Sequence, residues 1–226
     1  VMDFDVRRVT TLRAGALSFD NLTCRRHFCE QIDLTCASVK SVYDDVSITA
    51  YCLADCNAMV FTVLSKTNRA LNMTLSVPNN AQEYPCAYVE DQSNGYIQRS
   101  TADFAKNEKS WTSTVALGLF DAEDELQEVS HTNSEIRYHI ELAANKSKHL
   151  VLAAGGGGKT YDGRGRLLGS SAVRQAADLL ERLSDAQKIM SALQKHADWW
   201  RAFWCASFVD LSDFDLEKYY YGSLYI

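Results

Sequence analysis

Apolar and polar residues alternate along much of residues 3–154. The alternation is strictest in Leu71–Val77 and Ile136–Leu142, where every second side chain is apolar. A period of two with one apolar face is typical of an antiparallel sheet that is buried on one side. The run Ala58–Leu64 is apolar on both faces and is predicted to be a central strand. Because helical periodicity is missing between these segments, the pattern argues against an α/β fold.

Seven further segments show the same pattern less regularly. In chain order they are Phe4–Val9, Ala16–Phe19, Ile32–Val39, Val46–Cys52, Tyr84–Val89, Val115–Leu119 and Leu150–Ala154. A chain with about ten short strands and no helices between them favours a sandwich. The sequence therefore predicts a mainly β fold, a large antiparallel β-sandwich of the supersandwich-like kind.

Two polar segments interrupt the predicted strands. Residues 90–110 are predicted to be a long loop, of the kind that often carries binding groups at the end of a sandwich. The acidic run Asp121–Glu128 lacks the ligand spacing and the glycine of a calcium loop. It is therefore predicted to be a solvated turn.

The glycine-rich residues 153–160 look like a phosphate-binding P-loop. That motif needs a glycine five positions before its last glycine, and Ala153 stands there. A P-loop also opens a helix, whereas two more glycines follow here. Nucleotide binding is therefore disfavoured. Residues 156–170 are predicted to be a flexible linker between a sandwich domain, residues 1–155, and a helical region, residues 171–226.

The helical region carries apolar residues every three or four positions from Ala176 to Trp204. This pattern allows one long helix, or two if Ser184–Gln187 is a capping box that starts a second one. Ser212 and Asp213 can cap a further helix. The end of the region is so aromatic that its helices need a partner surface to bury against.

The order of residues in this last part has a family resemblance. It consists of His196, the pairs Trp199–Trp200 and Phe203–Trp204, then Ser207–Val209, Tyr219–Tyr220 and Leu224–Tyr225. The order resembles that of bacterial glycoside hydrolases with an (α/α)6 barrel. Among them, the order is similar to that of glycoside hydrolase family 95, the α-L-fucosidase-like enzymes. The likeness is most specific over residues 171–226.

The resemblance implies a β-sandwich, linker helices and then a helical barrel that holds the active site. The chain would then be the front part of a larger enzyme and would end with the first barrel helix. The resemblance also favours export from a bacterial cell. In this family the catalytic acid and base lie on barrel loops, beyond Ile226 here, so no catalytic residue is carried over.

Few residues suggest chemistry within the chain itself. No Gly-x-Ser-x-Gly motif is present, and seven cysteines without a Cys-x-x-Cys pair are predicted to be small buried side chains. No metal site and no cofactor is predicted. Tyr96 and Trp111 are the candidate substrate-binding residues, because aromatic rings on loops can stack on sugars.

Charge and hydropathy narrow the choice of partners. A net charge of −6 argues against nucleic acid as a partner, since a basic surface would be needed. No apolar run approaches the roughly 18–20 residues of a membrane-spanning helix. The partners that we predict are a carbohydrate and the chain's own downstream catalytic domain.

Three functions therefore compete. The first is the N-terminal, non-catalytic sandwich and linker of a glycoside hydrolase, bracing a catalytic barrel. The second is a glycan-binding module without catalysis, which predicts saturable sugar binding through Trp111 or Tyr96. The third is an interaction domain that docks on a partner through its C-terminal aromatic helix.

Overall fold

A computed structural model describes most of the chain. The described residues are 15–24, 27–77, 86–87, 95–102, 111–132, 134–157, 161–162, 164, 166–206 and 208–225. The expected strand Phe4–Val9 lies outside them. Of the expected strand Tyr84–Val89 only Cys86–Ala87 are described, and these two residues are in a strand.

The described residues form thirteen strands and three helices. The strands are β1 (Ala16–Phe19), β2 (Phe28–Asp33), β3 (Ser38–Tyr43), β4 (Val46–Cys52), β5 (Ala58–Ser65), β6 (Arg69–Ser76), β7 (Cys86–Ala87), β8 (Tyr96–Ala102), β9 (Trp111–Asp121), β10 (Gln127–His131), β11 (Glu135–Leu142), β12 (Ser147–Gly156) and β13 (Tyr161–Asp162). The helices are α1 (Ala172–Arg182), α2 (Ala186–Ala206) and α3 (Phe214–Tyr225).

The strands form two antiparallel sheets. One sheet has four strands in the order β1-β6-β11-β10. The other has nine, in the order β2-β3-β4-β5-β12-β9-β8-β7, with β13 also paired to β9. The prediction of a mainly β, antiparallel sandwich followed by helices is confirmed.

The two sheets enclose the main hydrophobic core. β5 shows why period two was the correct signal: Phe61 and Val63 face the four-stranded sheet, while Val60 faces the other side. The largest core side chains that are fully buried come from both sheets: Leu71, Met73, Leu75, Ile136, Leu150, Val46 and Val63. Burying each such side chain contributes about 1.5–3 kcal/mol.

Helices α1 and α2 cover the other face of the nine-stranded sheet. α1 buries Ala176 and Leu180, and α2 buries Ile189, against Val60 and Val151 of the sheet. The molecule therefore has three layers: the small sheet, the large sheet and the helices. The central strands β5 and β12 are covered on both sides, which explains why Ala58–Leu64 is apolar on both faces.

The long helical pattern divides into two helices. α1 ends at Arg182 and α2 starts at Ala186, so the two-helix alternative is confirmed. Asp185 is the capping residue rather than Ser184, because Asp185 Oδ1 accepts a hydrogen bond from the Lys188 amide at 2.8 Å.

The prediction of one strand over Ile32–Val39 is wrong. β2 ends at Asp33 and β3 begins at Ser38, and the two strands form a hairpin. Asp33 Oδ1 accepts hydrogen bonds from the amide and the hydroxyl of Thr35, at 2.9 and 2.6 Å, which closes a turn. Ala37 completes the turn with a φ of 43°.

Both polar segments are more ordered than predicted. Residues 90–110 are not simply a loop, because β8 lies within them and pairs with β9. Asp121 is not a solvated turn residue. It is the last residue of β9, and its side chain is 1% exposed.

The cysteines are also less buried than predicted. Of the six cysteines whose side chains are described, four are exposed: Cys24, Cys29, Cys52 and Cys205. Cys29 lies on β2, an edge strand whose residues are all exposed, and Cys205 lies near the end of α2.

Part of the glycine-rich segment belongs to the sheet rather than to a flexible linker. β12 extends to Gly156, and the Gly156 amide donates to Gln175 Oε1 of α1 at 3.0 Å. The Gly157 amide donates to the Thr114 carbonyl at 2.8 Å. These two amides therefore donate to acceptors within the protein, whereas the amides of a phosphate-binding loop point at the phosphate. The division into domains at residues 155 and 170 stays a prediction.

Gly155 allows α1 to lie directly on β12. A Cβ at this position would collide with the Ala172 carbonyl oxygen and lie 2.5 Å from the Ala176 nitrogen. Both obstacles are backbone atoms of α1, which cannot rotate away. α1 can pack this closely on β12 only because residue 155 has no side chain.

Replacing Gly155 with alanine should therefore destabilise the fold. We expect Gly155→Ala to lower the free energy of unfolding by about 3 kcal/mol, at the upper end of overpacking costs. Gly222→Ala is the control, because the space around Gly222 in α3 is open and alanine favours a helix by up to about 1 kcal/mol. Urea unfolding of both variants measures the difference, and equal stabilities would contradict this account of the helix–sheet contact.

A buried ion pair fixes the turn after β9. Lys148 Nζ lies 2.8 Å from Asp121 Oδ2 and 2.6 Å from Asp124 Oδ2. Burial opposes the charge on Lys148, but its hydrogen bonds with the two carboxylates hold the pKa of the ammonium above its ordinary value. Asp121 also accepts hydrogen bonds from the amides of Glu123 and Asp124, at 3.0 and 3.3 Å. The ammonium group of Lys148 is thus the cation that the carboxylates of this acidic turn bind.

Removing the lysine should cost far more than removing its exposed partner. We expect Lys148→Met to lower the free energy of unfolding by about 3–5 kcal/mol, because it leaves the Asp121 carboxylate buried and unpaired. Asp124→Asn should cost far less, since the side chain of Asp124 is 72% exposed and water screens its charge. Chemical denaturation at neutral pH compares the two. Similar losses would mean that the buried pair does not stabilise the turn.

Candidate functional site

The described part of the chain carries one concentrated group of aromatic side chains, on α2, α3 and the segment between them. We call this surface the aromatic face. Its residues are Trp199, Trp200, Phe203, Trp204, Phe208, Phe214, Tyr219, Tyr220 and Tyr221. The helical spacing that predicted these helices also brings the rings together, because residues four apart lie on one side of a helix.

Two parallel ring pairs form the α2 part of the aromatic face. The centroids of Trp199 and Phe203 are 5.5 Å apart with the planes 9° from parallel. Those of Trp200 and Trp204 are 5.7 Å apart at 29°. Edge-to-face contacts join the two pairs, as between Trp199 and Trp200 at 5.0 Å. Such contacts add about 0.5–1.5 kcal/mol per pair beyond the buried area and make this part of α2 rigid.

Hydrogen bonds attach the second half of α2 to the β2–β3 turn. Trp204 Nε1 donates to the Leu34 carbonyl at 2.6 Å. His196 Nε2 lies 2.9 Å from the Cys36 carbonyl. Since a carbonyl only accepts, Nε2 must carry the proton. His196 is 2% exposed, so it is a structural residue of this contact.

Tyr51 of β4 completes the contact beneath α2. Its ring meets that of His196 edge-on, with centroids 6.0 Å apart. Burial raises the pKa of the Tyr51 hydroxyl, and the nearby Cys36 and Asp33 add to the effect. The tyrosine is therefore neutral and helps to pack the helix on the sheet.

α3 is attached to the end of α2 mainly by Tyr221. Its hydroxyl donates to the Val209 carbonyl at 2.7 Å and accepts from the Val209 amide at 3.1 Å. Its ring meets Trp204 edge-on at 5.7 Å. Asp213 caps α3 by accepting from the amides of Asp215 and Leu216, each at 3.1 Å.

Much of the aromatic face is exposed. Phe208, Phe214 and Tyr219 are 73%, 75% and 77% exposed, and none of the described residues of α3 is buried. Leu211 and Leu216 add further exposed apolar surface beside them. Clusters of exposed apolar side chains on folded proteins mark interaction sites. This surface is therefore the strongest candidate functional site in the described chain.

The predicted sugar-binding residues Tyr96 and Trp111 lie far apart. Tyr96 pairs with Gly118 in the β8–β9 ladder, and Trp111 lies seven residues further along β9. At about 3.3 Å per residue, the two backbone positions are separated by roughly 23 Å. One sugar ring therefore cannot contact both residues, and their roles stay predictions.

Tyr96 is half-buried between the large sheet and α1. Its ring lies over Gly118, where a Cβ would collide with it, and Leu180 of α1 lies on the same side. Burial raises the pKa of its hydroxyl, and Asp178 of α1 adds to this. The backbone of Trp111 pairs with Asp162 of β13, and its side chain lies outside the described part of the structure.

A cavity of about 380 Å³ is lined by several acidic residues. They are Asp121, Asp124, Glu125 and Glu128, next to Tyr138. Lys148 neutralises the first two, so these two carboxylates are engaged in the structural ion pair. Within the described ranges no group of three or more metal-binding side chains comes together. No described helix is long and apolar enough to cross a membrane.

Comparison with known proteins supports the fold alone. No protein-family model and no curated protein matches the chain. Among solved structures, it is similar to a putative kojibiose phosphorylase from human microbiome, with 14% identity and a TM-score of 0.51. The match covers 85% of this chain and 28% of that chain.

A weaker likeness is found to two further structures. Heparinase III gives 10% identity and a TM-score of 0.35, with 62% of this chain and 23% of that chain covered. The heparinase III BT4657 gene product gives 7% identity and a TM-score of 0.31, with 61% and 21% covered. The chain thus spans about a quarter of the length of the solved structures that it matches.

The attachment of α3 can be tested at Tyr221. We expect Tyr221→Phe to remove both hydrogen bonds to Val209 and to speed amide hydrogen exchange in α3 about tenfold, a loss of about 1.4 kcal/mol. Tyr219→Phe removes the same atom from a side chain that is 77% exposed and should leave exchange unchanged. Exchange measured by mass spectrometry distinguishes them, and equal effects would contradict the role of Tyr221.

Proposed function

We propose that this chain is the N-terminal, non-catalytic part of a longer carbohydrate-active enzyme. In this proposal the sandwich and the helices brace a catalytic helical domain that follows residue 226. The observation that carries the proposal is the exposed aromatic face, with Phe214 and Tyr219 more than 70% exposed. A following helical domain would bury these rings.

The geometry of α2 suits such a brace. Its first half packs on the sheet through Ile189, and its second half is attached to the β2–β3 turn through His196 and Trp204. The α2 part of the aromatic face is therefore presented from a fixed helix, and Tyr221 attaches α3 to the end of that helix. Rigid placement lowers the entropy cost of docking another domain.

The structural likeness supports the choice of enzyme class. The matched structure is described as a kojibiose phosphorylase, and this chain corresponds to 28% of it. That leaves most of that protein for other domains. The resemblance of residues 171–226 to glycoside hydrolase family 95 supports hydrolysis of glycosidic bonds as the parent activity. We propose glycoside hydrolysis on this ground, with phosphorolysis as the alternative reaction.

Tyr96 and Trp111 remain candidate sugar contacts within this proposal. Their separation of roughly 23 Å along β9 means that they would contact different units of an extended glycan. A glycan-binding module without catalysis is the alternative function. It requires the 226-residue chain to bind sugar by itself.

The test uses the protein isolated from its native source. We expect an intact mass well above 25.3 kDa and glycan-cleaving activity in that longer protein. Phe214→Asp combined with Tyr219→Asp should lower the activity or the folded yield at least about tenfold, because buried, unpaired carboxylates cost several kcal/mol.

The matched control is Val129→Asp, on the edge strand β10. Val129 is 63% exposed, so its change should leave activity and yield unaltered. A native mass of 25.3 kDa, or equal effects of the two sets of changes, would overturn the proposal. Saturable binding of an oligosaccharide by such a 25.3 kDa protein would instead favour the glycan-binding module.

A further inference from the structure

Strand β2 forms one edge of the nine-stranded sheet, and β3 is its only neighbour among the described strands. All six of its residues are exposed, including two large apolar ones, Phe28 at 54% and Ile32 at 55%. The outer side of such a strand carries a row of backbone N–H and C=O groups that no strand of its own sheet pairs with. This row can pair with one more strand.

The other sheet edges in the described part of the chain are less open to pairing. At the edges of the small sheet, β1 has only four residues, and β10 has a register shift between Glu128 and Ser130. At the far edge of the large sheet, β7 has two residues. Short strands and bulges hinder pairing between edges, as do proline and lysine. β2 has six residues, contains no proline or lysine, and pairs with β3 in one unbroken register.

The hydrogen bonds with β3 show which backbone groups of β2 point outward. The Asp44 amide donates to the His27 carbonyl at 3.1 Å, and these two residues are directly opposite in the register of the β2–β3 ladder. In an antiparallel strand, successive residues direct their backbone groups alternately to the two sides. The odd-numbered residues of β2 therefore direct theirs toward β3. Phe28, Glu30 and Ile32 direct theirs to the open edge.

We propose that this edge binds a second copy of the same chain, through antiparallel pairing of the two β2 strands around a two-fold axis at Glu30. The outward-directed residues are symmetric about Glu30, so one register aligns all of them. In it, Phe28 faces Ile32 of the second copy, and Glu30 faces Glu30. Each of the three facing pairs exchanges two hydrogen bonds, which gives six. Moving the register by two residues leaves two such pairs and four bonds.

The apolar side chains favour the same register. Residues directly opposite each other in an antiparallel pair have their side chains on the same face. Phe28 would therefore contact Ile32 of the second copy, once on each side of the axis. Within each copy the Phe28 ring already contacts Tyr43 of β3, with centroids 5.2 Å apart. The dimer would thus join the exposed apolar side chains of two copies into one continuous surface.

The two Glu30 carboxylates oppose the dimer without preventing it. Like charges directly opposite each other on a sheet weaken pairing by roughly 1.5- to 5-fold. The Ser41 hydroxyl donates to Glu30 Oε2 at 3.1 Å, which draws the carboxylate toward β3 and away from the axis. Six hydrogen bonds and two apolar contacts outweigh one exposed pair of like charges. Glu30 is therefore the residue whose neutralisation should strengthen the dimer.

Sedimentation equilibrium of the 226-residue chain measures this association. We expect a monomer–dimer equilibrium with a Kd of roughly 1–100 μM, because two edge strands bury less area than a standard interface. Glu30→Gln should tighten the Kd about two- to fivefold. Glu181→Gln removes the same charge from an exposed position on α1 and should leave the Kd unchanged. A chain that stays monomeric at about 500 μM would overturn the proposal, since a dimer with a Kd of ~100 μM would then be mostly formed.

Lysines on the edge should separate the two copies. We expect Phe28→Lys combined with Ile32→Lys to weaken the dimer at least about tenfold, because like charges would meet across the axis where apolar side chains met before. The matched control is Leu167→Lys combined with Leu168→Lys, which changes two leucines that are 42% and 49% exposed and lie outside β2. Association that persists in the β2 variant, or that both pairs of changes weaken equally, would overturn the proposal.

A cross-link tests the register in a chain that keeps Phe28 and Ile32. In a Cys29→Ser background, Glu30→Cys would place two thiols at the axis, where the Cα atoms lie about 5.5 Å apart, within the range of a disulfide. Mild oxidation should then join two copies at position 30, as peptide mass spectrometry without reduction would show. Lys40→Cys in the same background, exposed on β3, should give no link at position 40. Absence of the link at position 30, or equal yields at the two positions, would overturn the proposal.

Discussion

The contact between α1 and β12 determines where the helical layer can lie. Gly155 removes the side chain that would separate them, and the Gly156 amide is bound by Gln175 of α1. Once α1 is fixed against the sheet, the three-residue connection to Ala186 limits where α2 can start. The position of the aromatic face thus follows from a close backbone contact about fifty residues earlier in the chain.

Much of this architecture could be predicted from local pattern. Period two identified the strands of the core, and the doubly apolar run of β5 predicted a strand covered on both sides. Helical spacing predicted α1, α2 and α3. These predictions succeed because burial of one face repeats along a whole element, so that several residues give the same signal.

The failures occur where one side chain or one distant contact decides the structure. A single turn at Asp33 and Thr35 divides β2 from β3, and periodicity over eight residues cannot detect it. Asp121 is buried because Lys148, 27 residues later, pairs with it. The separation of Tyr96 from Trp111 depends on strand register, which neither residue's local sequence reveals. The glycines at the end of β12 are needed because α1, a later part of the chain, packs on them. The aromatic spacing revealed that the face exists, but not which of its rings the sandwich covers.

The attachment of α2 to the β2–β3 turn has a further consequence. Both hydrogen bonds, from Trp204 and from His196, end on main-chain carbonyl oxygens, those of Leu34 and Cys36. Every residue type supplies such an oxygen. The helix therefore recognises the shape of the turn and not its side chains, so residues 34 and 36 are free to change during evolution as long as the turn keeps its path, whereas Trp204 and His196 are not.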